Sequence, residues 1–342
     1  MRRPITVARN EKLGLQYFQE ALKVDSTFAP AYRVMAELYH DFGKDARALE
    51  NMQKYVKFNS SDGAKKRLVE FMFVMKMYKE VIPMILELQK NGMKNCYLYR
   101  YLGWSYFEAG EKFEKDAYKK GMESMDNFFS CFGPEFKYLP QDYKYKGLLI
   151  SKAFKDSVPM LEKSIAELKR AIEIDKDANC DLYTDMGIIY IKMKKFTDAI
   201  ASFKMKTGCP GGMNGNDYFH MGRALVNGPQ DYVAADTAFG SLIKIAPTNP
   251  KGYIWRAKVN TYLDPKSEKA LAKQWYEKYF DMIKPEERAN NKADVLEATE
   301  YLAFYWYKQK DKEKLRSFVD VIQLLDPTSK KITEYKKYLD GK

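Results

Sequence analysis

Histidine is nearly missing from this chain: His40 and His220 are its only two, far apart in sequence. Zinc needs three or four converging ligands and a catalytic imidazole needs a positioned partner, so neither a zinc centre nor histidine-based catalysis is expected. Long apolar runs are missing too. No uninterrupted stretch approaches the roughly 18 residues a helix needs to cross a membrane, which excludes a helical membrane span. The basic opening Met1-Arg2-Arg3-Pro4 lacks the apolar stretch of a secretory signal. The glycine-rich segment Cys209-Pro-Gly-Gly-Met-Asn-Gly-Asn216 lacks the Gly-Lys-Ser/Thr ending of a phosphate loop and reads as a flexible connector. Glu286-Glu287 follows Pro285 at a helix start, where the carboxylates complement the macrodipole rather than form an acid–base pair. No enzyme, catalytic residue, metal or cofactor is expected from these residues.

Acid is in deficit: 58 Lys and Arg against 46 Asp and Glu leave a net charge of +12. Clustered cations would suggest nucleic acid, because they release counterions from phosphates. Here the lysines are dispersed from Lys12 to Lys342, mostly beside acids, as in the run Glu173, Asp175, Lys176 and Asp177. Solvated helix faces are the simpler reading, and a nucleic-acid-binding helical repeat is kept as the alternative.

One pattern recurs along the chain. Tyr32, Met35, Ala36, Tyr39, Gly43, Ala48 and Met52 match Tyr183, Met186, Gly187, Tyr190, Ala199 and Phe203 as aromatic, apolar, small, aromatic, then alanine and apolar. The small member returns at Ala36, Gly103, Gly147, Gly187, Gly222, Ala257 and Ala303, with Glu70 breaking the set. Such a residue lets two helices approach closely. Glu70 lies 34 residues after Ala36 and 33 before Gly103, which keeps the second unit in register.

This spacing resembles the signature of the tetratricopeptide repeat family, a helix-turn-helix unit of about 34 residues. The resemblance implies an all-α fold, a right-handed superhelix or α-solenoid, built to hold protein partners. Turn signals keep the same phase: Gly43 and Gly110 close first helices, while Pro247, Pro285 and Asp326-Pro327 fall between units. The expected organisation is one solenoid over 1–342, with a lone leading helix at 11–24, repeats one to three at 29–128, and an aromatic insert at 129–142. Repeats four to eight follow at 143–329 and a capping helix at 330–342. The leading helix lacks a mate because Met1 to Asn10 is short and polar, so either a natural chain extending upstream, the favoured reading, or packing of this face on another molecule is expected.

Gly103 and Gly147 are 44 residues apart, about ten beyond one unit, and the excess includes Asp126 to Asp142 with Phe128, Phe129, Phe132, Phe136 and Tyr138. These aromatics either fill a widened gap or face a ligand, since solenoid insertions often sit on the binding face. Cys96 and Cys180 start first helices, whereas Cys131 and Cys209 follow the second helices of the same hairpins. Antiparallel helices return those ends to one another, so disulfides Cys96–Cys131 and Cys180–Cys209 are allowed and would imply an oxidising compartment. Four free thiols in a reducing cytosol are the alternative.

In the family, first helices line a concave groove, and the residue after the leading aromatic points into it. By that resemblance Arg33, Arg67, Arg100 and Lys144 form a cation ladder, with Phe71 and Trp104 adding apolar surface and Phe128, Phe129 and Phe132 a further patch. The later residues Thr184, Phe219, Ile254 and Glu300 make the groove less basic toward the C-terminus. An acidic or extended peptide is the expected partner, because Arg captures carboxylates bidentately. A family subgroup clamps acidic chaperone tails with Lys and Asn, but Glu37 stands where that clamp wants Asn. The Lys- and Tyr-rich composition also resembles cell-envelope repeat proteins of Bacteroidetes, which implies a periplasmic or cell-envelope location, with the cytoplasm as alternative. Oligomeric state is open.

Overall fold

The structure, a computed structural model, describes residues 11–341. They form eighteen α-helices and two short 3-10 turns, with no strand among the described residues. The segment Met1 to Asn10, on which the missing mate of the leading helix was argued, lies outside the described residues.

Two compact units divide the chain, one ending at Lys176 and one beginning at Asp177. The first holds α1 (Glu11–Val24) and four hairpins: α2 (Ala29–Asp41) with α3 (Asp45–Phe58), α4 (Asp62–Val74) with α5 (Tyr78–Lys90), α6 (Cys96–Ala109) with α7 (Ala117–Ser130), and α8 (Pro140–Ala153) with α9 (Val158–Ile174). The second holds α10 (Leu182–Lys192) with α11 (Phe196–Lys206), α12 (Gly215–Asn227) with α13 (Tyr232–Ile245), α14 (Pro250–Leu263) with α15 (Lys273–Met282), α16 (Lys292–Lys308) with α17 (Lys312–Leu325), and the closing α18 (Lys330–Leu339).

Local chemistry explains the boundaries. Asn95, Asn214 and Asn249 accept backbone N–H groups at the starts of α6, α12 and α14, and Pro140 and Pro250 occupy first-turn positions where no N–H is needed. Gly110 ends α6 at φ 66°, a left-handed conformation that other residues adopt only with strain. Within hairpins the small residues do what close packing demands. A Cβ on Gly187 would stand 2.6 Å from the Phe203 ring, and one on Gly147 would stand 2.7 Å from Leu168. Even one methyl there would push the pair apart.

The second hairpin differs from the sequence expectation by one residue. Val69 is fully buried, whereas Glu70 is half-exposed and accepts a hydrogen bond from the Tyr101 hydroxyl at 3.0 Å. Val69 thus takes the small-residue place, and every position read forward from Glu70 shifts by one. The excess residues of the third hairpin also divide differently from the expected insert. The α6–α7 turn spans 110–116 and the α7–α8 linker 131–139, against 42–44 and 59–61 around α3. Helix α7 itself runs through Phe128, Phe129 and Ser130.

Candidate functional site

The expected cation ladder does not survive as a row of free charges. Arg33 on α2 lies 3.6 Å from Glu37, one turn along the same helix. Arg67 is exposed on α4 but stands one place past the ladder position, because of the Val69 register. Lys66 occupies that position instead, 2.9 Å from Glu70, with its ammonium 4.5 Å from the centre of the Tyr97 ring. Lys144 is half-buried on α8.

Arg100 departs furthest from expectation: it is 6% exposed. Its Nε and Nη2 each donate to Asp142 at 2.7 Å, a bidentate pair closed over the Phe128 ring, 4.5 Å from the guanidinium carbon. Asp142 is fully buried at the first turn of α8 and also accepts the Leu139 backbone N–H at 2.8 Å. Burial pushes the Asp142 carboxyl up, and the Arg100 guanidinium offsets only part of that. A charge so fully used cannot recognise a partner, so Arg100 is a structural residue.

The aromatic residues assigned to recognition are mostly core. Phe71, Trp104 and Phe128 are buried, with Phe128 at 0% exposure. Phe129 and Phe132 are half-buried: Phe129 stacks on Tyr138 with centroids 4.4 Å apart, and Phe132 on Phe136 at 3.9 Å. Tyr138 donates its hydroxyl to the Phe129 carbonyl at 3.0 Å. The rings of this cluster pack on one another beside the 131–139 linker.

Cys96 is bonded to Cys131 and Cys180 to Cys209, with Cα atoms 6.0 and 5.9 Å apart. Each bridge ties the start of a first helix to the linker that leaves its hairpin. A second buried aspartate follows the second bridge. Asp217, fully buried in the first turn of α12, accepts the Asn214 N–H at 2.8 Å and the Lys206 ammonium at 2.9 Å. Thr184, the ladder residue of α10, donates its hydroxyl to Asp217 and accepts from Lys206 at 2.8 Å. Lys206 also lies 3.2 Å from Asp181. Burial alone would pull this ammonium down, but hydrogen bonds to Asp217 and Asp181 and their charges outweigh it and hold the group above the usual lysine range. The equivalent position in the other hairpins carries Ala31, Ala64, Leu98, Leu182, Gly252 and Ala298, all buried. An aspartate in that company was the available sign of a buried pair.

An open cavity in the second unit was missed from the sequence. About 610 Å³ in volume, it is lined by the inner faces of α12, α14, α16 and α18, with Val226, Trp255, Tyr262, Tyr301, Phe304 and Tyr335 among the apolar walls. Tyr262 and Phe304 are exposed. Its polar groups are coupled to one another. Lys258 meets Asp294 at 2.7 Å and Glu297 at 3.1 Å, while Tyr276 donates to Glu297 at 3.0 Å. Lys331 reaches from α18 to Glu300 at 2.6 Å. Burial opposes the Lys258 charge, but Asp294 and Glu297 together hold it above the usual range. Burial, with nearby Glu334 and Glu300, pushes the Tyr335 phenol up to about 12.

His40 pairs with Asp45 at 2.9 Å and His220 sits beside Phe219 and Phe203, in different units. No group of three or more His, Cys, Asp or Glu side chains able to hold a metal occurs among the described residues, and no helix among them is long and apolar enough to cross a membrane.

No family model matches the chain, and no curated protein matches it. Solved structures do. The C-terminal part of a TPR repeat-containing protein from Cytophaga hutchinsonii is 26% identical, with 79% of this chain and 98% of that chain covered at a TM-score of 0.66. A tetratricopeptide repeat protein from Parabacteroides merdae is 12% identical over 80% of this chain and 95% of its own, with a TM-score of 0.46. PilF of Pseudomonas aeruginosa is 12% identical over 71% and 99%, with a TM-score of 0.45. The likeness to the Cytophaga protein agrees with the hairpin phase and the small-residue contacts, which define an all-α solenoid of helix-turn-helix repeats. The chain has the tetratricopeptide-repeat fold and is similar to proteins of that family. Helical repeat scaffolds of this kind commonly serve protein interaction.

Proposed function

We propose that this protein is a non-enzymatic interaction scaffold that takes an extended peptide segment in the groove of its second unit. The observation that carries the reading is the groove itself: about 610 Å³, with exposed Tyr262 and Phe304 beside ordered polar groups. Concave sites with apolar walls and a few fixed polar groups are where proteins bind ligands. The acidic preference argued from Arg33, Arg67 and Arg100 loses its footing, because Arg33 has an intrahelical acid, Arg67 is out of register and Arg100 is consumed by Asp142. A nucleic-acid surface has less support, since lysines such as Lys54, Lys65 and Lys119 sit beside acids on their own helices. The two disulfides favour an oxidising compartment, and the periplasm or cell envelope is the location this reading adopts.

A photo-crosslinking residue installed at Tyr262 tests the function. The expected result is one dominant crosslinked protein from the native organism, mapped by mass spectrometry to a short segment and lost when Phe304→Ala is added. Equal yields from Tyr262 and from an outward site such as Lys54 would overturn the reading.

A further inference from the structure

The groove's chemistry is better suited to a positive group than to a negative one. Of its two carboxylates, Glu297 is already engaged by Lys258 and the Tyr276 hydroxyl. Glu300 is different. Its partner is Lys331, a side chain 61% exposed that arrives from the first turn of α18. A lysine there is badly placed, because the amino end of a helix carries partial positive charge. An exposed pair of this kind is weakly held. Lys331 therefore stands in Glu300 as a displaceable substitute for a ligand's own cation. Around the pair lie Tyr301, Phe304 and Tyr335, aromatic surface of the kind that packs the apolar stem of a lysine or arginine and attracts its charged head. Burial pushes the Tyr335 phenol up, so it stays neutral near neutral pH and presents a ring face and hydroxyl rather than charge.

We infer that the groove of the second unit accepts a basic side chain, Arg or Lys, of a bound extended segment, its cation replacing Lys331 at Glu300. This rests on the reading of the groove as the peptide site, and it reverses the sign of partner expected from the sequence. The long-range field of a chain with net charge +12 opposes such a ligand, so selection must come from contact at short range and weaken as salt screens Glu300.

The test uses the full chain and fluorescence anisotropy with short labelled peptides that share an aromatic and a leucine and differ at one central residue, Arg, Gln or Glu. The Arg peptide should bind about tenfold more tightly than the Glu peptide, the scale of one charge-assisted contact. Lys331→Ala should tighten the Arg peptide several-fold by releasing Glu300, and Glu300→Gln should weaken it about tenfold. Both sites are exposed or half-exposed, and circular dichroism checks that folding is kept. Tighter binding of the Glu peptide, or indifference to both substitutions, overturns the inference. If all three peptides bind alike and all are lost with Phe304→Ala, the groove reading stands and the charge selection fails. If none binds, the groove reading fails and takes the inference with it.

Discussion

Each unit contains one hairpin bridged by a disulfide and followed by a buried aspartate, and the two solve the same problem with different cations. In the first unit Arg100 comes from the preceding first helix and donates to both oxygens of Asp142 as its only cation, inside an aromatic cluster. In the second, the preceding first helix supplies only Thr184, and the charge comes from Lys206 on the second helix, shared with the exposed Asp181. The linkers match their clamps. Residues 131–139 are packed by Phe132 and Phe136, whereas the 207–214 linker turns through Gly211 and Gly212 at φ 82° and 61° with no comparable aromatic cover. A bidentate pair in a dry, aromatic site tolerates no loss of one partner. A shared network can lose a member and keep its charge balanced.

That contrast predicts the largest effect at Arg100. Arg100→Met leaves Asp142 buried without its cation and should cost about 3–5 kcal/mol, read as a large fall in thermal midpoint of the first unit. The double variant Arg100→Met with Asp142→Asn should recover most of it, because asparagine can still accept the Leu139 N–H. A double variant as unstable as the single one would show that the aromatic packing, not the charge, is what fails. Removing a disulfide comes next. Loops of 35 and 29 residues give nearly equal chain-entropy terms, about 3.5–4 kcal/mol each. Cys180→Ser with Cys209→Ser should nevertheless loosen its linker more than Cys96→Ser with Cys131→Ser, and hydrogen exchange over 207–214 against 131–139 measures that. Equal exchange in both would remove the role given to the aromatic cover.

In the second unit, Thr184→Ala removes a neutral donor while Lys206 remains, and should cost about 0.5–1.5 kcal/mol in denaturant unfolding. The pH dependence has a definite sign. The Lys206 ammonium is held above its ordinary value of 10.5, so its stabilisation is fully present below that value and is lost as pH rises through the higher folded value. The stability gap between the native chain and Lys206→Met with Asp217→Asn should therefore shift against the native chain above pH 10.5 and stay flat from pH 6 to 9. A shift centred near neutral pH would assign it to another group.

Much of the fold was legible because its rule is local. A small residue is required wherever two helices approach closely, and Gly103, Gly147, Gly187 and Gly222 each face a side chain that a methyl would strike. Cysteine spacing was legible for the same reason, since antiparallel helices return to where they began. The ladder was not. Whether a cation at one helix position is free depends on which acid the next hairpin brings, and the distance from Arg100 to Asp142 spans 42 residues and an irregular linker. The groove of the second unit was still less visible: Tyr262, Phe304 and Tyr335 come from three helices whose approach no single repeat encodes. In α4 the sequence does carry a sign, for Ala64, Leu68 and Val69 repeat Ala31, Met35 and Ala36 one residue earlier than the Glu70 alignment allows.

That one-residue correction makes the smallest and sharpest prediction. Under the original alignment Arg67 would stand on the inner face and Lys66 beside it would be incidental, whereas the structure gives Lys66 an acid at 2.9 Å and a Tyr97 ring at 4.5 Å. Lys66→Ala should then cost about 0.5–1 kcal/mol, the sum of a half-exposed helical pair and a partly desolvated cation–π contact. Arg67→Ala should stay within about 0.5 kcal/mol of the native chain, as exposed substitutions do. Paired chemical denaturation of the two variants decides it, because both remove one cation from neighbouring positions of one helix and leave the net charge equal. A larger loss at Arg67 than at Lys66 would restore the Glu70 alignment and return Arg67 to the ladder. The ordering, more than either magnitude, reports which residue faces the next hairpin.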